Sequence, residues 1–213
     1  MKLGTNLLFL SDKYSQIQKL NTNMKLKDLL KQNRSYRRFY QEVKISKNEL
    51  EEWIEQVRYC PSGRNAQPLC YAILNTDDAC EQIFPHLAWA GYLTDWAGPE
   101  AGERPSAYLI QLLDTRIAEN CLCDDGIQIQ TLMLSAVESG YGGCIIKSFK
   151  NEAVRNLLDL PDYMKIMYVL ALGKPKEQVV LEEMQGDDFK YWRDAAGVHH
   201  VPKRSKEELI FKK

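Results

Sequence analysis

The sequence predicts a single α+β domain in which helices pack in layers against a sheet. Helical patterns alternate with short apolar runs along most of the chain. Three of those runs, residues 69–74, 107–113 and 166–172, have the length and composition of strands. The chain has 213 residues, of which 45% are apolar and 27% charged, so it is long enough for one sizeable core.

The predicted helices are defined by their periodicity and their ends. Residues 24–34 carry leucines at helical spacing. Ser46 is followed three residues later by Glu49, and this capping box predicts that a second helix begins there and ends before Pro61. Shorter helices are predicted over residues 77–87 and 151–158, and a short strand over 144–146.

A helix predicted over residues 124–139 is apolar almost all round. Such a helix is buried, either in the core or against a partner subunit. At its start stand Asp124 and Asp125, which we interpret as negative charge at the helix N-terminus. A catalytic carboxylate pair is the alternative, although adjacent residues on a helix point apart.

Two further segments lack a clear helix or strand pattern. Residues 89–105, here called the aromatic loop, hold three glycines, two prolines and three large aromatic residues. A loop of this length predicts a lid or binding wall, the alternative being a surface excursion anchored by two tryptophans. From residue 177 the chain turns polar, as expected of a wrapping arm. Residues 1–23 are predicted to be a tail or extension, and residues 24–213 to form the domain.

Composition excludes several classes of function. The formal net charge is −1, which gives no reason to expect nucleic-acid binding. Six cysteines without CxxC spacing and only three histidines cannot form a zinc pattern, so we expect no metal and reduced thiols in a cytoplasmic protein. No apolar run approaches the roughly 20 residues of a membrane span.

Residues 33–39, here called the arginine segment, contain Arg34, Arg37 and Arg38. Guanidinium groups pair with phosphate oxygens in a bidentate manner, so this cluster suits a phosphate monoester. The alternative is a solvated helix end. Residues 199–204, His-His-Val-Pro-Lys-Arg, add basic groups near the C-terminus and favour the first interpretation.

Residues 61–68, here called the proline-flanked loop, present polar groups between two prolines. Backbone and amide groups of such a loop can bind a planar heterocycle. The arginine segment and this loop together predict a ligand that is a phosphorylated ring compound. The loop residues concerned are Ser62, Gly63, Arg64, Asn65 and Gln67.

Side-chain catalysis has no candidate in the sequence. Gly140-x-Gly-Gly follows a helix rather than a strand, so it is not a dinucleotide fingerprint, and no GxSxG, P-loop or HExxH motif occurs. His86 is more typical of a packing residue than of a base. We therefore expect no catalytic side chain, because a bound cofactor can carry the reaction instead.

Taken together, the motifs of residues 24–210 resemble the FMN-dependent nitroreductase family. They occur in the family's order, and each is short, so the resemblance depends on their combined order and spacing. They are Arg34-Ser35-x-Arg37-x-Phe39, Pro61-Ser62-Gly63-x-Asn65-x-Gln67-Pro68, Asp125-Gly126-Ile127-x-x-Gln130 with Gly140-x-Gly142-Gly143, Leu170-Ala-Leu-Gly173-Lys-Pro-Lys-Glu177, and Pro202-Lys203-Arg204.

The resemblance implies a fold and a set of site residues. The fold would be a three-layer sandwich, with a mixed, mostly antiparallel sheet flanked by helices in an intertwined homodimer. FMN would lie at the subunit interface. Its ring would be near the proline-flanked loop, which the other subunit could supply, and near residues 140–143, here called the glycine turn. Its phosphate and ribityl chain would contact Arg34, Ser35, Arg37, Lys203 and Arg204, and the ring Ser62, Gly63, Arg64, Asn65, Gln67, Tyr141, Gly142 and Gly143.

The activity implied is ping-pong transfer of hydride from NADH or NADPH through FMN to a small-molecule acceptor such as a nitroaromatic or a quinone. The alternative is a flavin-binding storage, sensing or regulatory protein with little turnover. Two positions depart from the family's usual pattern: Asn33, where arginine is common, and Leu69, where an aromatic residue is common. Because of the first departure, binding of the phosphate would depend more on Arg34 and Arg37.

Overall fold

A computed structural model describes residues 24–211, so the predicted tail at 1–23 lies outside the described residues. Helices and strands alternate from residue 26 to residue 175, as the pattern predicted, and three further strands and a short helix follow within the described range. The helices are α1 (Leu26–Gln32), α2 (Lys47–Val57), α3 (Asp77–Ile83), α4 (Asp124–Glu138), α5 (Asn151–Leu157) and α6 (Lys206–Leu209). The strands are β1 (Phe39–Tyr40), β2 (Leu69–Leu74), β3 (Ala107–Asp114), β4 (Gly142–Ile146), β5 (Met164–Pro175), β6 (Val179–Glu183), β7 (Trp192–Arg193) and β8 (His199–Lys203).

The main sheet has five strands, and the long strand β5 organises it. Strands run in the order β1-β5-β3-β2, and β4 also pairs with β5. All of these pairs are antiparallel. Parallel pairing occurs between β6 and β8, outside this sheet, and in an isolated bridge from Ser35 to Gly143 of β4. The strand pairing is therefore mostly antiparallel, as expected, and the five strands of the main sheet are antiparallel throughout.

Helices cover both faces of the main sheet. Successive residues of a strand point to opposite faces, and in β3 Leu109 belongs to one core cluster and Ile110 to the other. The Leu109 cluster includes residues of α2 and α4, and the Ile110 cluster includes residues of α3 and α5. The result is the predicted three-layer α+β sandwich.

Local signals place the helix ends. The capping box of α2 is present, because the Ser46 hydroxyl accepts a hydrogen bond from the Glu49 amide at 3.2 Å and the Glu49 carboxylate accepts one from the Ser46 amide at 3.0 Å. Helix α4 is mostly buried within the chain: Leu132 and Met133 lie in the core, whereas Ile127 and Leu134 are partly exposed. No helix of the described range is long and apolar enough to cross a membrane.

The C-terminal segment, predicted as a wrapping arm, contains strands that its polarity did not predict. Strand β8 pairs in parallel with β6 and antiparallel with β7, so the segment folds into a small sheet of its own. These strands are short and half-polar, and β6 and β8 are far apart in sequence. Periodicity alone does not reveal such non-local pairing.

The aromatic loop is anchored by both of its tryptophans. Trp89 packs against Phe84, with 5.9 Å between ring centroids, and an added Cβ on Gly98 would come within 2.6 Å of it. Trp96 lies under the guanidinium of Arg193, with 4.6 Å from Cζ to the ring centroid. The loop therefore packs on the core at one point and on the C-terminal sheet at another.

An ion pair joins the end of the aromatic loop to the arginine segment. The carboxylate of Glu103 accepts hydrogen bonds from Nε and Nη2 of Arg38 at 2.5 and 2.8 Å, and Lys176 Nζ lies 2.9 Å from the same group. The Arg38 guanidinium is the main reason that the pKa of Glu103 is lowered from its usual 4.5 to about 2. The Arg38 side chain is thus used in an ion pair that stabilises the fold.

Replacing Glu103 with Gln should reduce the stability of the protein. A folded-state pKa below the unfolded value stabilises the fold above pH 4.5, and this stabilisation is lost as pH falls from about 4.5 to about 2. In E103Q we expect the free energy of unfolding at pH 7 to fall by about 1–3 kcal/mol, as for hydrogen bonds to charged groups.

Urea unfolding between pH 7 and pH 2.5 measures this effect, and E103Q should also show a weaker acid dependence. The matched control is E100Q, which removes an exposed carboxylate three residues away. Equal pH profiles for E103Q and the unaltered protein would contradict the assignment.

Candidate functional site

A cavity of about 280 Å³ lies beside the arginine segment and is here called the arginine cavity. It contains three cationic side chains, and none of the residues that line it within 24–211 is acidic. Its lining comes from the arginine segment, α4, β4 and the C-terminal sheet. The lining residues are Asn33, Arg34, Ser35, Arg37, Gln130, Met133, Ile145, Tyr191, His199, Val201 and Lys203.

Arg37 is buried in this cavity wall, with 8% of its surface exposed. Its Nη1 donates to the Ser35 carbonyl at 3.2 Å and lies 3.3 Å from Nε2 of His199. Its Cζ lies 4.8 Å from the ring centroid of Tyr191. No carboxylate of the described residues forms a salt bridge with its guanidinium.

Glu177 contacts the backbone of Arg37, and both of its carboxylate oxygens have hydrogen-bond partners. One accepts a hydrogen bond from the backbone amide of Arg37. The other accepts one from Nη2 of Arg193 at 3.0 Å. The Glu177 side chain is fully buried, so its charge is balanced by Arg193 rather than by the Arg37 side chain.

Arg34 is a second cation whose hydrogen bonding is incomplete. Its Nη2 donates to the Leu30 carbonyl at 2.8 Å, whereas its Nε is buried and has no partner within residues 24–211. Burial lowers the pKa of Arg34. Buried donors of this kind are rare in proteins and are typical of sites that bind a ligand.

The two basic residues at the end of β8 have different environments. Lys203 lines the arginine cavity. Arg204 does not, because its Nη2 donates to the Glu208 carbonyl of α6 at 2.6 Å. Within one chain the structure therefore brings Lys203, but not Arg204, to Arg34 and Arg37.

The glycine turn lets the arginine segment lie directly on β4. Ser35 forms a bridge with Gly143, and the Tyr36 amide donates to the Gly143 carbonyl at 2.9 Å. A Cβ on Gly142 would lie 2.6 Å from the Tyr36 ring, and one on Gly143 only 2.4 Å from the carbonyl oxygen of Ala171. The neighbouring Tyr141 packs against Trp53, with 5.8 Å between ring centroids. Both glycines are thus required by close packing.

The proline-flanked loop is tied to the start of α4 by Asp124. Its buried carboxylate accepts hydrogen bonds from the Ser62 hydroxyl at 2.6 Å and from the Gly63 amide at 2.9 Å. The Ser62 hydroxyl in turn accepts from the Gln67 amide at 2.9 Å. Asp124 is therefore a structural residue, as the preferred interpretation of the acidic pair implied, with a specific partner that the sequence did not indicate.

Backbone strain is concentrated in the same loop. Arg64, Asn65 and Gln67 have φ values of 55°, 54° and 50°, in the left-handed region. Residues with a Cβ cost roughly 1 kcal/mol or more each in that region, and such conformations cluster at ligand sites. A fixed, strained loop of polar residues is consistent with the ring-binding role that the sequence predicted.

The two predicted halves of the site are separate within one chain. Gly63 and Arg64 line a different cavity, of about 420 Å³, together with Leu122 and Asp124 at the start of α4. Among residues 24–211, this cavity shares no lining residue with the arginine cavity. The glycine turn is joined to the arginine half, whereas Ser62, Asn65 and Gln67 belong to the loop half.

Sequence reasoning missed three residues of the arginine half. His199 was noted only as part of a basic patch, and Glu177 only as the end of a motif. Tyr191 had no signal at all, because its role depends on the pairing of β7 with β8. For Glu177 the available signal was a titratable residue just after the apolar strand β5, whereas His199 lies within the half-polar strand β8 and gave no comparable signal.

Comparison with known proteins identifies the class. The model of the nitroreductase family matches residues 30–105 and 114–174. The chain therefore belongs to the nitroreductase family.

Individual relatives agree with this. YdgI of Bacillus subtilis (strain 168), which bears the name NAD(P)H nitroreductase, is 25% identical over 186 residues, covering 71% of this chain and 88% of YdgI. A nitroreductase family protein of Clostridium novyi NT superposes with a TM-score of 0.61 at 21% identity, covering 72% of this chain and 88% of that one.

A nitroreductase of Exiguobacterium sibiricum 255-15, solved in complex with FMN, superposes with a TM-score of 0.61 at 18% identity, covering 73% of this chain and 90% of that one. These structural likenesses establish the fold.

Replacing Asp124 with Ala should destabilise the protein and release the proline-flanked loop. The change leaves the Ser62 hydroxyl and the Gly63 amide without their acceptor, so we expect the free energy of unfolding to fall by about 2–4 kcal/mol. Amide hydrogen exchange at Gly63 should accelerate in the same variant.

The matched control is D125A, since among the described residues the neighbouring carboxylate accepts a hydrogen bond from the Gly126 amide beside it, at 2.7 Å, and from no residue of the proline-flanked loop. Its loss should cost about 1 kcal/mol or less, the usual size of a charge effect at a helix N-terminus. If D124A and D125A lost equal stability and Gly63 exchange stayed slow, the tie between Asp124 and the loop would be refuted.

Proposed function

We propose that this protein binds FMN and acts as an NAD(P)H-dependent flavin oxidoreductase. The observation that carries the proposal is the arginine cavity, in which Arg34, Arg37 and Lys203 meet without an acidic lining residue in the described chain. Family membership supports it. So do the name of YdgI and the FMN complex of the Exiguobacterium protein.

The residues present fit the phosphate group of FMN. A phosphate monoester carries a charge near −2 and needs several donors, and this cavity offers two guanidinium groups and an ammonium group. The buried Nε of Arg34, which has no partner within 24–211, is one donor left over for such a ligand. Arg34, Ser35, Arg37 and Lys203 would hold the phosphate.

When bound, FMN would supply the hydride and electron transfer chemistry. The protein's own residues would bind and orient the flavin and would exclude water from it, and no side chain need donate a proton. We propose that NADH or NADPH and then an acceptor such as a nitroaromatic or a quinone use the site in turn, which is ping-pong kinetics.

We further propose that the working unit is a homodimer in which the proline-flanked loop of one subunit completes the arginine cavity of the other. The separation of the two halves within one chain supports this. The apolar residues Leu209, Ile210 and Phe211, which are 68, 54 and 89% exposed, also support it. Exposed apolar side chains in groups mark interaction surfaces.

A cytoplasmic location is part of the proposal. All six cysteines of the chain lie within the described residues as free thiols. Reduced cysteines fit a compartment kept reducing by thiols.

Spectroscopy tests the function directly. The purified protein, or protein to which FMN has been added, should show the two visible absorption bands of a bound flavin. Anaerobic titration with NADH and NADPH should bleach these bands within seconds, and an added quinone should restore them. Protein that stays colourless with FMN would refute the proposal, and bound flavin that is reduced only over hours would favour the storage or regulatory alternative.

Replacing both Arg34 and Arg37 with Ala should weaken the binding of FMN far more than the binding of riboflavin. Two charge-assisted contacts to phosphate are lost, so the Kd for FMN should rise at least about 100-fold, while that for riboflavin should change less than about threefold. Fluorescence quenching of each flavin measures both constants. The control is R58A, which removes an exposed arginine paired with Glu55. Equal losses for the two flavins would argue against phosphate contacts.

The same variant tests the two-subunit site. Co-expression of R34A/R37A chains with chains altered at Asn65 and Gln67, under two affinity tags, yields mixed dimers. If each site combines halves from both subunits, a mixed dimer has one intact site and binds one FMN. If each site lies within one chain, both sites remain defective and FMN binding is not restored.

A further inference from the structure

We propose that His199 is a positioning residue that holds the Arg37 guanidinium at the phosphate site without neutralising its charge. This inference rests on the proposed function. The residues that carry it are the partners of the Arg37 side chain within residues 24–211, which are uncharged: the Ser35 carbonyl, the His199 imidazole, the Tyr191 ring and the Cys144 thiol, whose pKa is raised by burial.

The protonation state of His199 follows from the contact with Arg37. A guanidinium has only donors, so Nε2 of His199, 3.3 Å from Nη1 of Arg37, must accept. The proton of the imidazole is therefore on Nδ1. Burial is the main cause that lowers the pKa of His199 to about 4, and the neighbouring Arg37 and Arg193 act in the same direction. His199 is thus a neutral acceptor at any pH near 7.

Arg38 is a useful comparison for Arg37, because its charge is neutralised by an ion pair that stabilises the fold. Its guanidinium forms two hydrogen bonds with the carboxylate of Glu103. The adjacent Arg37 also contacts an acidic residue, Glu177, but through its backbone amide rather than its side chain. The side chain is left to His199, so its full charge is available to an anion in the cavity.

The arrangement leaves a buried donor unpaired. Nδ1 of His199 has no hydrogen-bond partner within the described residues, although the side chain is 1% exposed. An unpaired buried N–H costs about 1–3 kcal/mol, so packing alone would favour an apolar side chain here. A function for the Nε2 acceptor explains why this position carries a histidine.

The consequence is discrimination between flavins that differ only in phosphorylation. An arginine that is held in place by neutral groups loses less conformational entropy on binding and keeps its attraction for a dianion. A carboxylate at position 199 would hold Arg37 as firmly but cancel that attraction. His199 should therefore affect the preference for FMN over riboflavin rather than flavin binding in general.

Three substitutions separate positioning from packing. H199Q keeps a neutral acceptor, H199L removes the acceptor, and H199E replaces it with a charged one. The measured quantity is the ratio of the Kd for riboflavin to that for FMN, by fluorescence quenching of the full-length protein. We expect H199Q to keep the ratio within about threefold, H199L to lower it about 10-fold and H199E at least about 30-fold, as for the loss of one or more charge-assisted hydrogen bonds.

Controls keep the outcomes distinct. H200Q alters the neighbouring histidine, which contacts Glu182, Asp194 and the Trp192 ring rather than Arg37. Circular dichroism and Tm identify any variant that fails to fold, and the comparison of H199Q with H199E does not depend on H199L folding. If the unaltered protein prefers FMN and both H199E and H199L keep its ratio of Kd values, the role of His199 is overturned while the proposed phosphate site is not. Unaltered protein that binds FMN no better than riboflavin overturns the proposed phosphate site as well.

Discussion

The arrangement of the site depends on the hydrogen bonds that the buried carboxylate of Glu177 accepts. Glu177 lies just after the central strand β5 and accepts hydrogen bonds from the backbone of Arg37 and the side chain of Arg193. Three parts of the chain that are remote in sequence are therefore held together by one charged group. Removing one partner of a buried ion pair leaves an uncompensated charge and costs several kcal/mol, so these three parts are expected to be rigid relative to one another.

The arginine segment shows how a fold can assign different roles to adjacent residues of one type. Arg38 lies on the side of the aromatic loop, where Glu103 neutralises it. Arg37 lies on the side of the cavity, among neutral acceptors. Side chains of successive residues in an extended segment point to opposite sides, so a single strand-like segment can serve both stability and ligand binding. The close approach of this segment to β4 depends in turn on Gly142 and Gly143.

The sequence predicted the layers of the fold and most of the polar residues of the candidate site. Local signals predicted the helices, the strands and the arginine cluster: the capping box at Ser46, the apolar runs of β2, β3 and β5, and the arginine spacing. The three-layer order came from the resemblance to the nitroreductase family. The sequence did not predict the small C-terminal sheet or the contacts of His199 and Tyr191 with Arg37. Those features depend on pairing and packing between distant parts of the chain, to which hydrophobic periodicity is insensitive.

The sequence by itself determined the chemistry that is available: three arginines in five residues, a polar loop between two prolines, and an apolar helix joined by a glycine turn to a short strand. Tertiary structure decided how that chemistry is used. It separated Arg37 from Arg38, brought His199 and Tyr191 to Arg37 through the pairing of β7 with β8, and placed the proline-flanked loop at a different cavity from the arginines. The physical reason is that charge pairing and burial are properties of neighbours in space, which the order of residues along the chain does not contain.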